Sequence, residues 1–173
     1  MQFLDALLRR WGINPGDIAG TSLAGEIPIS DALINRLIAK RLERHAHIAS
    51  VVVTSRDGDE ALVRVEPRAR LIPSVPIVVR IERQPDLPRD PTLRLRWSIP
   101  AAGPLALVAG AIAGYVKAMP EGVLVDRDVV VVDLRVLLRA RGLEEVLDLV
   151  RRAAIHTRPG AMVVQLEAGL GLP

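Results

Sequence analysis

An α+β fold is predicted for this 173-residue chain: a curved antiparallel sheet of five to seven strands, packed on one amphipathic and one central apolar helix. Three observations predict it. The apolar pattern has a helical period over residues 31–45 and then switches to strict alternation in successive segments. Alternation of that kind describes antiparallel strands with one dry face and one wet face. The long stretch 103–118 is apolar nearly all round, so several of its faces must be covered.

Residues 2–11 read as a short amphipathic helix, with Phe3, Leu4, Leu7, Leu8 and Trp11 on one face. Gly12 and Asn14-Pro15-Gly16 end it, and the small, polar stretch 16–25 reads as a linker. The expected organisation is therefore a helix plus linker over 1–25 and a single α+β domain over 26–173. Ser30 suits an N-cap and Asp31 the first turn of the next helix, which places Leu33, Ile34, Leu37, Ile38 and Leu42 in an apolar stripe opposed by Arg36, Lys40, Glu43 and Arg44. Strands follow at 49–56, 60–66, 77–82 and 92–99, the first two joined by the hairpin signal Asp57-Gly58. Prolines 73, 76, 85, 88, 91 and 100 fall at strand ends and turns, where a missing N–H is tolerated. Pro104 sits in the first turn of the apolar helix 103–118, and two short strands at 123–125 and 129–134 flank Asp126-Arg127-Asp128. Asp133 is placed to cap a short helix over 134–141; a second helix is expected from Glu144 to Ile155, and a last strand over 162–166.

Composition narrows the chemistry. Half of the chain is hydrophobic, but only 2% is aromatic, so the interior is built from Val, Leu, Ile and Ala. The net charge is +3 while the pI is about 10.1, because Lys occurs only at 40 and 117 and Arg supplies the remaining cations. That charge is too small to imply nucleic acid. Arg64, Arg80, Arg94 and Arg96 share the wet side of the strands with Glu60, Glu66 and Glu82, and Trp97 falls on the opposite side, so no aromatic platform for bases accompanies them. Cysteine is absent, which excludes disulfides and thiolate metal sites. The longest apolar run, 101–116, is shorter than the ~20 residues of a bilayer span. No signal peptide is legible, so the expected location is cytoplasmic, or periplasmic or membrane-peripheral if a leader was trimmed.

Enzyme signatures are missing. The chain has no phosphate loop and no nucleophile elbow, and its serines lie in linker, cap, strand or turn contexts with no adjacent base. Asp57/Asp59 and Asp126/Asp128 occupy turn positions without the rest of a calcium loop. His45, His47 and His156 lack the spacing of a metal site. No catalytic residue, metal or cofactor is expected.

What remains distinctive is the apolar surface itself. A sheet curving around helix 103–118 makes a groove lined by Leu37, Val63, Val79, Leu95, Trp97, Leu107, Gly110, Ala111 and Gly114, which suits a ligand recognised by shape and a dry lining. Two segments carry a family likeness, Ile27–Ile38 (IPISDALINRLI) and Val123–Leu138 (VLVDRDVVVVDLRVLL). The first resembles the opening helix, and the second the closing strand-to-helix passage, of the tubular lipid-binding superfamily and related bacterial lipoprotein domains, over residues 26–168. The resemblance implies non-enzymatic binding of a lipid or other apolar ligand. The alternative is a structural domain that uses the same groove for association with a partner or a second copy of itself. Residues 2–11 are the expected contact with a protein or a membrane surface, since a helix of about ten residues is not stable alone in water.

Overall fold

The computed structural model describes residues 21–43, 46–69, 73–100 and 121–170. The architecture is α+β and mostly antiparallel sheet, with a few short helices. In place of one sheet of five to seven strands, the described strands form two sheets, of three and six strands. The first described element, β1 (Thr21–Ser30), passes without a loop into α1 (Asp31–Leu42). A meander follows: β2 (Ile48–Arg56), β3 (Glu60–Pro67), β4 (Val75–Arg83) and β5 (Thr92–Ser98). The hairpin β6 (Val123–Asp126) and β7 (Val129–Asp133) joins it with β7 inside, giving the order β2-β3-β4-β5-β7-β6. Two short helices, α2 (Leu134–Arg139) and α3 (Glu145–Leu149), lead to the hairpin of β8 (Val150–Arg158) and β9 (Ala161–Leu170). The second sheet has the order β1-β9-β8, so the first and last described strands pair.

Local chemistry accounts for most boundaries. Ser30 caps α1 through its hydroxyl, which accepts from the Leu33 N–H. Asp133 ends β7 and caps α2, its carboxylate accepting from the N–H groups of Arg135 and Val136. In the β2–β3 turn Gly58 and Asp59 both adopt positive φ, a conformation that Gly and Asp tolerate best. Pro159 and Gly160 turn β8 into β9, with Gly160 at φ 81°, which suits a type II turn.

Two expected elements are corrected. Residues 21–25 are the start of β1 rather than linker, so the strand runs across the expected boundary at 25/26. Its Pro28 is tolerated because β1 is an edge strand. The helix expected over 144–155 stops at Leu149, and Val150–Arg158 is a strand. Val146, Leu147, Val150 and Ala154 satisfy a helical period, but Val150, Ile155 and Thr157 are β-branched and β9 offers a full ladder, so long-range pairing wins. Helices expected over 2–11 and 103–118 lie outside the described residues.

The tightest core lies beside the small sheet. Leu87, from the loop after β4, packs with Leu147, Val150 and Ala153, with Leu138 and Leu166 against them. The described loop, α2, α3 and the β8–β9 hairpin are thereby joined by apolar contact.

Candidate functional site

Antiparallel register decides which side chains share a face of the six-stranded sheet. Val53 lies opposite Val63, and Val63 opposite Ile77. Ala61 pairs with Val79 and Val79 with Trp97. Ile81 pairs with Leu95, Leu95 with Val130, and Val130 with Val125. One face is therefore apolar from β2 across to β6. Most of these side chains are half-buried, Ala61 alone of those named here being buried. Among the described residues, no large side chain is fully buried.

Four of the expected lining residues, Val63, Val79, Leu95 and Trp97, are brought together on this face. Leu37 does not join them. It is 57% exposed and lies on the side of α1 turned away from β2. The remaining expected positions, Leu107, Gly110, Ala111 and Gly114, and the contact residues Phe3, Leu4, Leu7, Leu8 and Trp11, lie outside the described residues.

The opposite face is mixed: it carries the arginines that the alternation predicts, but the register sets Val52, Leu62, Val78, Val129 and Val131 among them. Arg64, Arg80, Arg94 and Arg96 are all exposed there. Arg80 donates to Glu60 at 2.9 Å, and Arg96 bridges Glu82 at 2.6 Å and Asp128 at 3.2 Å. The bond to Glu82 and the two carboxylates raise the Arg96 guanidinium above its ordinary range. Arg80 and Arg96 are thus matched by carboxylates, whereas Arg64 and Arg94 form no ion pair among the described residues.

Polar side chains do their main work at the sheet edges. Strand β2 is the outer strand of the large sheet, and Asn35 of α1 pairs with its backbone as a neighbouring strand would. The Val53 N–H donates to Asn35 Oδ1 at 2.7 Å, and Asn35 Nδ2 donates to the Val53 carbonyl at 2.9 Å. Asp31 accepts from the Ser55 N–H at 2.8 Å and from the Ser55 hydroxyl at 2.6 Å. Ser55 is only 2% exposed, and these bonds satisfy it.

The edge of the small sheet is held the same way. Gln84 pairs with Ile155 of β8, donating from Nε2 at 2.6 Å and accepting from the N–H at 2.8 Å. Two residues on, the Thr157 N–H donates to Asp59 at 3.1 Å. The same carboxylate lies 3.2 Å from His156 Nδ1. A carboxylate can only accept there, so Nδ1 carries the proton and the imidazole is held in one orientation. His156 also lines an open pocket of about 540 Å³ with Gln84, Pro85, Asp86, Arg151, Arg152, Ala153, Ala154 and Glu167. Sequence reasoning assigned Asp59 to turn chemistry alone and gave His156 no partner. Their contact spans 97 positions, and no local pattern signals it.

Among the described residues, no group of three His, Asp or Glu side chains is placed to hold a metal ion. No helix among them is long and apolar enough to cross a membrane. Compared with protein-family models, curated proteins and solved structures, the chain matches none.

Proposed function

We propose that this chain is a non-enzymatic binding module, which holds a lipid acyl chain or similar apolar ligand in a groove against the curved six-stranded sheet. The observation that carries the reading is the continuous apolar face running from Val53 and Val63 through Val79 and Trp97 to Leu95 and Val130. Its side chains are short and branched, and most keep part of their surface accessible. Such a lining gains by removing methylene groups from water, at about 0.8 kcal/mol for each one buried. It recognises length and shape and needs no polar motif, in keeping with a face that presents none between β2 and β7. Bulges at Ile48/Ser50 and Ile81/Arg83 increase local twist, which favours a sheet that coils around its ligand.

Native mass spectrometry of freshly purified protein tests this directly. Adducts with the masses of acyl lipids, lost on mild activation, are the expected result. Trp97 supplies a second readout: in a Trp11→Phe background, adding a long-chain fatty acid should shift its emission to the blue. Protein free of adducts, with Trp97 emission indifferent to fatty acid, would overturn the proposal. If that protein were also a dimer, self-association through the apolar face would be the better reading.

A further inference from the structure

We propose that the outward face of α1 docks this protein on an anionic lipid surface. The orientation of the helix carries the inference. Asp31 and Asn35 are four apart and both bond to the edge of β2, so they fix the inward side of α1. Leu42 is buried on that side. At about 100° per residue, Leu33 and Leu37 then point to the opposite side. They are 40% and 57% exposed. Lys40 and Arg36 flank them on one side and Arg41 on the other, and all three cations are exposed. Among the described residues, none of the three forms an ion pair.

An outward pair of leucines is anomalous in a helix whose inward side is taken up by an Asp and an Asn. The polar bonds to β2 dictate the rotation, and the leucines are placed outward as a consequence. Two leucines bordered by three long cationic side chains match the interface of an anionic bilayer. The apolar tips enter the acyl boundary while the ammonium and guanidinium groups remain at headgroup level. The charge is what selects this occupant. Each Lys or Arg near an anionic surface strengthens binding by about fivefold. An apolar partner protein would leave three cations facing it without counter-charges. This surface lies on α1 and not on the apolar face of the large sheet, so the inference stands independently of acyl binding.

Flotation of the full chain with vesicles tests it. Vesicles of phosphatidylcholine with phosphatidylglycerol should carry the protein, and vesicles of phosphatidylcholine alone should not. Arg36→Glu with Lys40→Glu should weaken binding by about 25-fold or more. Leu33→Ser with Leu37→Ser should weaken it about tenfold. Both double variants should keep the wild-type circular dichroism spectrum and unfolding midpoint, because the replaced side chains are exposed. Folded variants that float as the wild type does would overturn the proposal. Equal flotation with both vesicle types, or none with either, would do so as well. A wild-type dimer that the leucine variant converts to a monomer, with no vesicle binding, would assign the surface to a second copy of this chain instead.

Discussion

Asn35 joins a helix to a sheet by imitating a peptide group. Its side-chain amide offers one donor and one acceptor at the spacing that the Val53 backbone requires. Asn35→Leu should therefore cost about 1–3 kcal/mol, since it leaves an edge N–H and carbonyl unpaired beneath α1. Asn35→Asp keeps the acceptor, loses the donor and sets a charge against the Val53 carbonyl, so it too should lower the urea midpoint. Leu33→Ser, two residues away and exposed, should leave the midpoint unchanged. Thr157 gives the reverse case. Its Oγ1 is buried with no hydrogen-bond partner among the described residues, so Thr157→Val should be neutral or slightly stabilising by the same measurement. Asp90 makes a pH-dependent contribution. The Thr92 hydroxyl, with Arg83 beside it, holds the Asp90 carboxyl below its ordinary value. A depressed carboxyl stabilises the fold above its unfolded pKa, and that contribution disappears as pH falls through the folded value. Carboxyl NMR titration should show Asp90 titrating low, and Thr92→Val should move it back up.

At the scale of elements, the two sheets share one device. On a helix, four residues rise about 6 Å, and on a strand two residues advance about 6.7 Å. Asp31 and Asn35 can therefore meet Ser55 and Val53 in register, and the edge of β2 is covered without another strand. Gln84 and Asp59 reproduce the arrangement on β8 at Ile155 and Thr157. Covered edges do not recruit foreign strands. Gln84→Ala should release the Ile155 amide, and Asp59→Ala the Thr157 amide. Hydrogen exchange should show faster exchange at those amides, with the interior ladder of β3 and β4 unaffected. Gly122 marks another junction. It has φ 92°, and a Cβ there would lie 2.9 Å from Val136 Cβ and 3.1 Å from the Asp133 carbonyl oxygen. Gly122→Ala should cost about 1–3 kcal/mol in chemical denaturation, through strain where β6, β7 and α2 meet.

Across the whole molecule, the two faces of the large sheet should respond oppositely to the same change. Arg64→Glu and Arg94→Glu fall on the wet face and should stay within about 0.5 kcal/mol of wild type. Arg96→Glu also breaks contacts with Glu82 and Asp128, yet exposed pairs are worth only about 0–1 kcal/mol. Val79→Glu places a carboxylate between Ala61 and Trp97, and should reduce both the melting temperature and fatty-acid uptake far more. Equal tolerance at Val79 and Arg64 in thermal melts would show that the apolar face is not a functional or packed surface.

The alternation of Ala61, Val63 and Val65 with Glu60, Arg64 and Glu66, interrupted only by Leu62, and the same pattern through 92–98, by itself determined the antiparallel strands and their two faces. The period of side chains along a strand is a local property. The caps at Ser30 and Asp133 were legible for the same reason, since each reaches only two or three residues ahead. Tertiary structure decided what depends on distant partners. Val150–Arg158 is a strand because β9 pairs with it, and residues 21–25 are ordered into β1 by the other edge of β9. The rotation of α1 was decided that way as well. Its apolar stripe contains Leu33, Ile34, Leu37, Ile38 and Leu42, and periodicity alone turns that whole stripe inward. The bonds from Asp31 and Asn35 to β2 rotate the helix, so that Leu42 is buried and Leu33 and Leu37 face outward. Two polar side chains that satisfy an exposed strand edge prevail over the apolar pattern, because an unpaired edge beneath a helix leaves backbone groups without water or protein partners.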